Sequence, residues 1–172
     1  MKQYTSFSVV IICCFFLIFN LMGQETQLYK HPQLTIQIEA PSNWKQLPRH
    51  TDDMIYEIAD PEKTVHVMLW YTATMQDAKG YLEKMADMKG LHWERDPVAM
   101  KGLEDNAWQV DAIGNVWGME ARVLLTVIHH GYDDKHTDHN ALYVVMIWCP
   151  EQVFSQHKQK MSDILNSVKF TE

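Results

Sequence analysis

The chain has 172 residues, of which 22 are acidic and 15 basic, and its formal charge is −7. Nucleic acids and anionic membrane surfaces are bound largely through neutralised phosphates, which requires a stripe of Lys and Arg that this sequence lacks. We therefore expect no nucleic-acid partner. The length is sufficient for one core, since a domain of about 150 residues buries roughly 70% of the surface that its unfolded chain exposes.

Residues 1–23 have the pattern of a signal peptide. Lys2 precedes an unbroken apolar run from Val9 to Phe19. A membrane-spanning helix needs about 20 apolar residues, so this run is short for a permanent span, although an uncleaved N-terminal anchor is the alternative. Cys13 and Cys14 lie in the middle of the run rather than at its end, where a lipid-bearing cysteine belongs. We expect cleavage near residue 23, no stable span afterwards, and a mature protein in the periplasm or outside the cell.

Residues 24–172 are predicted to form one domain, because no linker or repeat interrupts them. Alternating apolar positions over residues 34–38 predict a half-buried strand. Met54–Ala59 and Thr64–Thr72 are two more strands, and the short proline-containing turn between them predicts that they pair as a hairpin. Apolar residues at helical spacing predict a helix over Ala78–Met88 that stops at Gly90.

The second half of the chain contains its most apolar segments. Trp108–Ala112 alternates as a strand and is expected to turn near Gly114. Ala121–Ile128 and Ala141–Trp148 are almost continuously apolar, which is typical of strands covered on both faces. A closing helix that opens at Pro150 and runs to Val168 has one apolar side. Strands grouped in meanders and separate helices predict an α+β fold, with a twisted, mainly antiparallel sheet flanked by helices.

Cys149 is the only cysteine that remains after cleavage, so the mature chain has no intramolecular disulfide. It follows an apolar strand and has no flanking cation to lower its pKa. We therefore expect a buried thiol rather than a reactive one.

Two segments carry a resemblance to a known family. The opening strand runs into Pro41 and Trp44, and the closing helix ends in Ile-Leu-Asn-Ser-Val-Lys-Phe over residues 164–170. In these features the chain resembles the PsbP-type domains, whose fold is shared with the Ran-binding Mog proteins and with many small exported bacterial proteins. The resemblance covers the whole mature chain. It implies a mixed sheet with helices on both sides and an accessory role in binding or assembly, and it transfers no functional residue.

No segment combines a nucleophile with a positioned base. Gly114 and Gly118 lie between two strands and indicate a turn rather than a phosphate-binding loop. A single mature cysteine excludes paired-cysteine zinc sites. Acidic neighbours such as Glu94 and Asp96 are expected to be solvated charges. We therefore predict a non-enzymatic binding module for an unknown protein or small ligand.

The segment 129–139 is the strongest candidate for a metal site, because it holds four of the nine histidines and three aspartates. Imidazole suits Zn or Cu, and the tip of a hairpin brings residues from both arms together. The favoured ligands are His130, Asp134, His136 and His139. A polar surface loop without any metal is the alternative.

The mature chain also holds six tryptophans. Trp70, Trp108 and Trp148 fall in strand patterns and are expected in the core. A sheet this small does not easily hide all six rings, so a partly exposed aromatic groove is a further hypothesis.

Calorimetric titration with Zn²⁺ and Cu²⁺ tests the metal hypothesis. We expect a saturable heat from the native sequence and its loss when His130, His136 and His139 are all replaced by Ala, because the imidazole ligands are then gone. Equally weak heats from both proteins would remove the hypothesis.

Overall fold

The computed structural model describes residues 25–30, 35–101, 106–132 and 138–171. The predicted signal peptide, residues 1–23, lies outside them. Within these ranges the strands are β1 Thr26–Lys30, β2 Ile36–Pro41, β3 Lys45–Leu47, β4 Met54–Ala59, β5 His66–Thr74, β6 His92–Trp93, β7 Val98–Ala99, β8 Ala107–Val116, β9 Met119–Tyr132, β10 Asn140–Pro150 and β11 Lys169–Phe170. The α-helices are α1 Ala78–Met88 and α2 Phe154–Asn166. Neither is long and apolar enough to cross a membrane.

The strands form two sheets. The main sheet has eight strands in the order β3-β4-β5-β10-β9-β8-β6, with β7 also paired to β8. A smaller sheet has the order β1-β2-β11. The predicted antiparallel sheet is confirmed. Every pairing between the described strands is antiparallel, which differs from the mixed sheet that the family resemblance implied.

Two hairpins define the register of the main sheet. The predicted β4–β5 hairpin is confirmed, with Glu57 opposite Met68. The turn after β8 lies later than predicted, because the strand continues to Val116 and the turn residues are Trp117 and Gly118. Both have positive φ, 51° and 83°, as a two-residue turn of this twist requires.

Gly114, the predicted turn residue, is a buried strand position. A Cβ there would lie 2.6 Å from Leu91 Cδ2 and 3.2 Å from the Gly90 carbonyl oxygen. The loop that follows α1 therefore packs directly on the backbone of β8. A glycine inside a strand often marks such a close approach rather than a turn.

Strand β10 is buried on both faces, as its apolar sequence predicted. One set of side chains packs against α2 and the small sheet: Tyr143, Val145, Ile147 and Cys149. The alternate set packs on the side of α1: Leu142, Val144, Met146 and Trp148. The molecule thus has three layers, with the main sheet between α1 on one side and α2 with the small sheet on the other.

Both predicted helices are present. The side chain of Asp77 caps α1 by accepting a hydrogen bond from the Gly80 amide at 2.7 Å. The chain leaves that helix through Gly90, whose φ is +62°. The α-helical part of the closing helix begins at Phe154, because residues 151–153 form a 3-10 turn. It buries Met161, Ile164 and Leu165 against the sheet.

The small sheet was not predicted. Its outer strands β1 and β11 are only five and two residues long. The side chain of Ser167, directly after α2, holds the C-terminal segment against β2. Its hydroxyl accepts a hydrogen bond from the Glu39 amide at 2.9 Å and donates to the Glu39 carbonyl at 3.0 Å.

The Cys149 thiol is fully buried, with Sγ 3.6 Å from Met161 Sδ. Burial raises the pKa of this thiol to about 11. The thiolate is the reactive species, and at neutral pH this thiol stays protonated. Burial also keeps reagents away from the sulfur, so the structure agrees with the expected lack of reactivity.

At pH 8 we expect iodoacetamide to leave Cys149 of the folded protein essentially unmodified and to modify it readily in guanidinium chloride, where the ordinary pKa returns. Mass spectrometry of the Cys149 peptide measures both. Rapid modification without denaturant would contradict this packing.

Candidate binding site

The predicted metal-binding residues are only partly within the described part of the chain. The His130 ring, on β9, is stacked on Phe170 at 4.0 Å and 14°. His139 Nδ1 lies 2.9 Å from Asp138 Oδ1. Asp134 and His136 lie outside the described residues, and within those ranges no group of three or more His, Cys, Asp or Glu side chains is placed to hold a metal ion. Metal binding by this segment stays a prediction.

The tryptophans divide between core and surface. Trp70 and Trp148 are buried as predicted, whereas Trp108 is only half-buried and Lys79 lies 5.2 Å above its ring. Trp117 is 55% exposed at the β8–β9 turn. A partly exposed aromatic surface therefore exists, as hypothesised, and it is centred on Trp117.

Trp117 borders a cavity of about 260 Å³ on the α1 side of the main sheet. The strands supply its sulfur-containing and aromatic lining: Met54, Met68, Trp70 and Met146. The end of β8 supplies Asn115 and Val116, and the loops and the β8–β9 turn supply His50, Thr51, Lys89, Leu91 and Trp117. The lining is thus largely apolar, with polar groups from the segment before β4, the end of α1 and the end of β8.

Strand register explains why the three methionines share one cavity. Met68 lies opposite Met146 on β10, and Met54 lies opposite Trp70 on β5. Because alternate residues of a strand point to the same face, Met68 and Trp70 point to the cavity side together. His66 follows the same alternation, and it lies opposite Trp148.

A buried carboxylate lies beside this cavity. Glu57 is 0% exposed, with Oε1 2.8 Å from His66 Nδ1 and Oε2 3.0 Å from His50 Nε2. The second contact lacks the geometry of a hydrogen bond, so Oε2 retains accepting capacity. An isolated buried carboxylate is costly, and the two imidazoles offset part of that cost.

The hydrogen bonds of His66 indicate how many protons it shares with Glu57. Its Nε2 lies 3.0 Å from the Lys63 carbonyl oxygen. A carbonyl only accepts, so Nε2 carries a hydrogen. The 2.8 Å contact of Nδ1 with Glu57 then requires a second proton, held by either the imidazole or the carboxyl group. The pair together is therefore electrically neutral.

Trp117 connects the buried pair to the cavity. The centre of its ring lies 5.3 Å from the ring centres of both His50 and His66 and 5.1 Å from that of Trp148. All three contacts are edge-to-face. His66 is in turn stacked on Trp148 at 4.4 Å and 7°. A non-glycine residue at positive φ is uncommon and strained, so these ring contacts are what hold Trp117 over the cavity.

A second charged cluster has a structural role. Arg122 on β9 donates two hydrogen bonds to Glu151, at 2.9 and 3.0 Å, and lies 3.3 Å from Asp111 and 3.2 Å from Glu94. The hydrogen bonds to Glu151 are the main cause that raises the pKa of Arg122. Glu94 is exposed, as expected, and is also an ion-pair partner of Arg122. The cluster ties β8 and β9 to the turn before α2.

Sequence reasoning missed the Glu57 site. One signal was present, since Glu57 is the only charged residue in an otherwise apolar strand. A charged residue in a buried strand normally has a partner. The identity of its partners was not readable, because His50 and His66 lie on either side of β4 at no recognisable motif spacing.

Three solved structures are similar to this chain in fold. Cyanobacterial PsbP (CyanoP) from Synechocystis sp. PCC 6803 is 9% identical, with a TM-score of 0.62 over 88% of this chain and 95% of that one. LpqN, involved in cell envelope biogenesis of Mycobacterium tuberculosis, is 14% identical, with a TM-score of 0.60 over 86% and 91%. The Ran-binding protein Mog1p of Saccharomyces cerevisiae is 8% identical, with a TM-score of 0.51 over 86% and 96%.

These similarities confirm the PsbP-like fold that the sequence suggested. No protein-family profile matches the chain, and no curated protein matches it by sequence. At identities of 8 to 14%, the similarity establishes the fold and carries no functional residue across.

Replacing Glu57 by Ala should lower the free energy of unfolding by about 3 kcal/mol, because it leaves His66 buried without its partner. Guanidinium chloride denaturation measures the change. Glu62→Ala, in the exposed turn after β4, is the matched control and should stay within about 0.5 kcal/mol of the native protein. Equal effects of the two substitutions would show that Glu57 has no special role.

Proposed function

We propose that this protein is an exported binding module that holds a small, largely apolar ligand in the cavity beside Trp117 and carries out no turnover. The observation that carries the proposal is the combination of an apolar cavity with a strained, exposed tryptophan at its edge. Export is part of the proposal and is supported by the signal-peptide pattern of residues 1–23.

The composition of the cavity suits binding. Met54, Met68 and Met146 line it together with Trp70 and Trp117. Methionine side chains are flexible and polarisable, so they adapt to ligands of different shape. Tryptophan gives a large rigid contact area at little entropic cost. Small-molecule sites usually combine such apolar walls with a few polar groups, which here are His50, Thr51, Lys89 and Asn115.

The titratable groups favour binding over catalysis. His66 has both ring nitrogens engaged, with Glu57 and with the Lys63 carbonyl. Glu57 is wholly buried and does not line the cavity. Among the described residues that line the cavity, Thr51 and Lys89 are the side chains of a type that can act as nucleophiles, and neither forms a hydrogen bond with His50. A nucleophile activated by a positioned base, which covalent catalysis needs, is therefore not formed in this lining.

The similar folds are consistent with an accessory role. LpqN is described as involved in cell envelope biogenesis, and Mog1p as a Ran-binding protein. These roles belong to those proteins, and they support a binding function for this chain only in the general sense that the fold accommodates one.

Methyl NMR tests the proposal. In protein labelled with ¹³C at the methionine methyl groups, octanol and naphthol should shift the signals of Met54, Met68 and Met146, because a ligand in the cavity touches all three. The signal of Met161, buried under α2 on the other face of the sheet, is the internal control and should not move. Signals are assigned by single Met→Leu substitutions.

A variant pair completes that experiment. Trp117→Ala should weaken binding about tenfold, which is the loss expected when a large aromatic contact is removed. Trp93→Ala removes an exposed tryptophan that does not line the cavity and should leave binding unchanged. No methyl shifts, or equal shifts of Met161, would overturn the proposal.

A further inference from the structure

The charges around the cavity are unlike those of the chain as a whole. The protein carries 22 acidic residues and a formal charge of −7. Among the described residues that line the cavity there is no Asp or Glu, and the titratable side chains are His50 and Lys89. The charge of the cavity lining is therefore opposite in sign to the net charge of the protein. The negative protein surface repels anions, whereas the cavity lining attracts them.

Lys89 provides a cation at the edge of the cavity. It follows the last residue of α1, and its Nζ lies 5.7 Å from the centre of the Trp70 ring, which is part of the lining. The contact with the ring attracts the ammonium group without neutralising it. None of the carboxylates in the described ranges forms an ion pair with Lys89. Its charge is thus available to a ligand.

The buried carboxylate does not cancel this positive charge. Glu57 has no exposed surface, so it presents no oxygen to the cavity. Its Oε1 shares a proton with His66 at 2.8 Å, and the pair is neutral together. His50, which lines the cavity, lies 3.0 Å from the second oxygen. An anion in the cavity would therefore meet an imidazole and an ammonium group, not a carboxylate.

We infer that the ligand of this cavity is a small apolar carboxylate, with its hydrocarbon part against the methionines and tryptophans and its carboxylate directed to Lys89. The inference rests on the proposed function and specifies its ligand class. An apolar body matches the lining, and a single negative charge matches the unpaired cation beside it. Fatty and aromatic acids share this chemistry.

Matched ligands of one shape and different charge test the inference. Octanoate, octanol and octylammonium are titrated into the methionine-labelled protein at pH 7, and naphthoate is compared with naphthol in the same way. We expect each carboxylate to bind about tenfold more tightly than its neutral counterpart, and octylammonium to bind more weakly than octanol. Whether octanoate or naphthoate binds more tightly distinguishes a fatty from an aromatic ligand.

Two lysine variants identify the charge responsible. Lys89→Gln should abolish the tenfold preference for octanoate while leaving octanol binding unchanged. Lys79→Gln is the matched control, because Lys79 also lies on α1 and over a tryptophan ring, at 5.2 Å from Trp108, but does not line the cavity. It should keep the full preference.

The possible failures are distinguishable. Equal binding of octanoate and octanol, or tighter binding of octylammonium, overturns the carboxylate inference and leaves the cavity as a site for apolar ligands. A preference for octanoate that persists in Lys89→Gln overturns the role of Lys89. Absence of binding by every ligand overturns the proposed function itself.

Discussion

Strand β10 packs against the α1 layer with Met146 and Trp148 and against the α2 layer with Ile147 and Cys149. A shift of one residue in its pairing would exchange these sets, since the side chains of a strand alternate between faces. Burial on both faces therefore locks the register of β5 and β9 against β10. That register places Met68 opposite Met146, and both side chains form part of the cavity wall.

The two faces of the main sheet are covered unequally. The small sheet and α2 together cover one face, whereas α1 on the other face has only 11 residues. Helix α1 packs chiefly on β8 and β9. The part of the sheet that α1 leaves open is where the residues of the cavity lie. The same packing that builds the core thus leaves a site beside it.

Glu57 and Trp117 both depart from the local preference of the chain. A carboxylate in a buried strand and a bulky residue at positive φ each oppose folding, the second by about 1 to 3 kcal/mol. Contacts with His50 and His66 hold both of them. Natural sequences keep such departures chiefly at functional sites. Trp117 at the edge of the cavity and Glu57 behind it are joined through His50 and His66, and this is the reason to assign function there rather than to the Arg122 cluster.

The sequence by itself determined the six longest described strands, both helices, the antiparallel sheet and the burial of Cys149, because apolar periodicity and turn chemistry act within a few residues. Only the tertiary structure decided the rest. The sequence predicts a turn at Gly114, but the residue lies inside β8, where only glycine leaves room for Leu91 to pack on the strand. The small sheet joins the two ends of the described chain, with Glu39 bonded to Ser167. Likewise the Glu57 site arises from three segments, and no local pattern encodes contacts made across such separations.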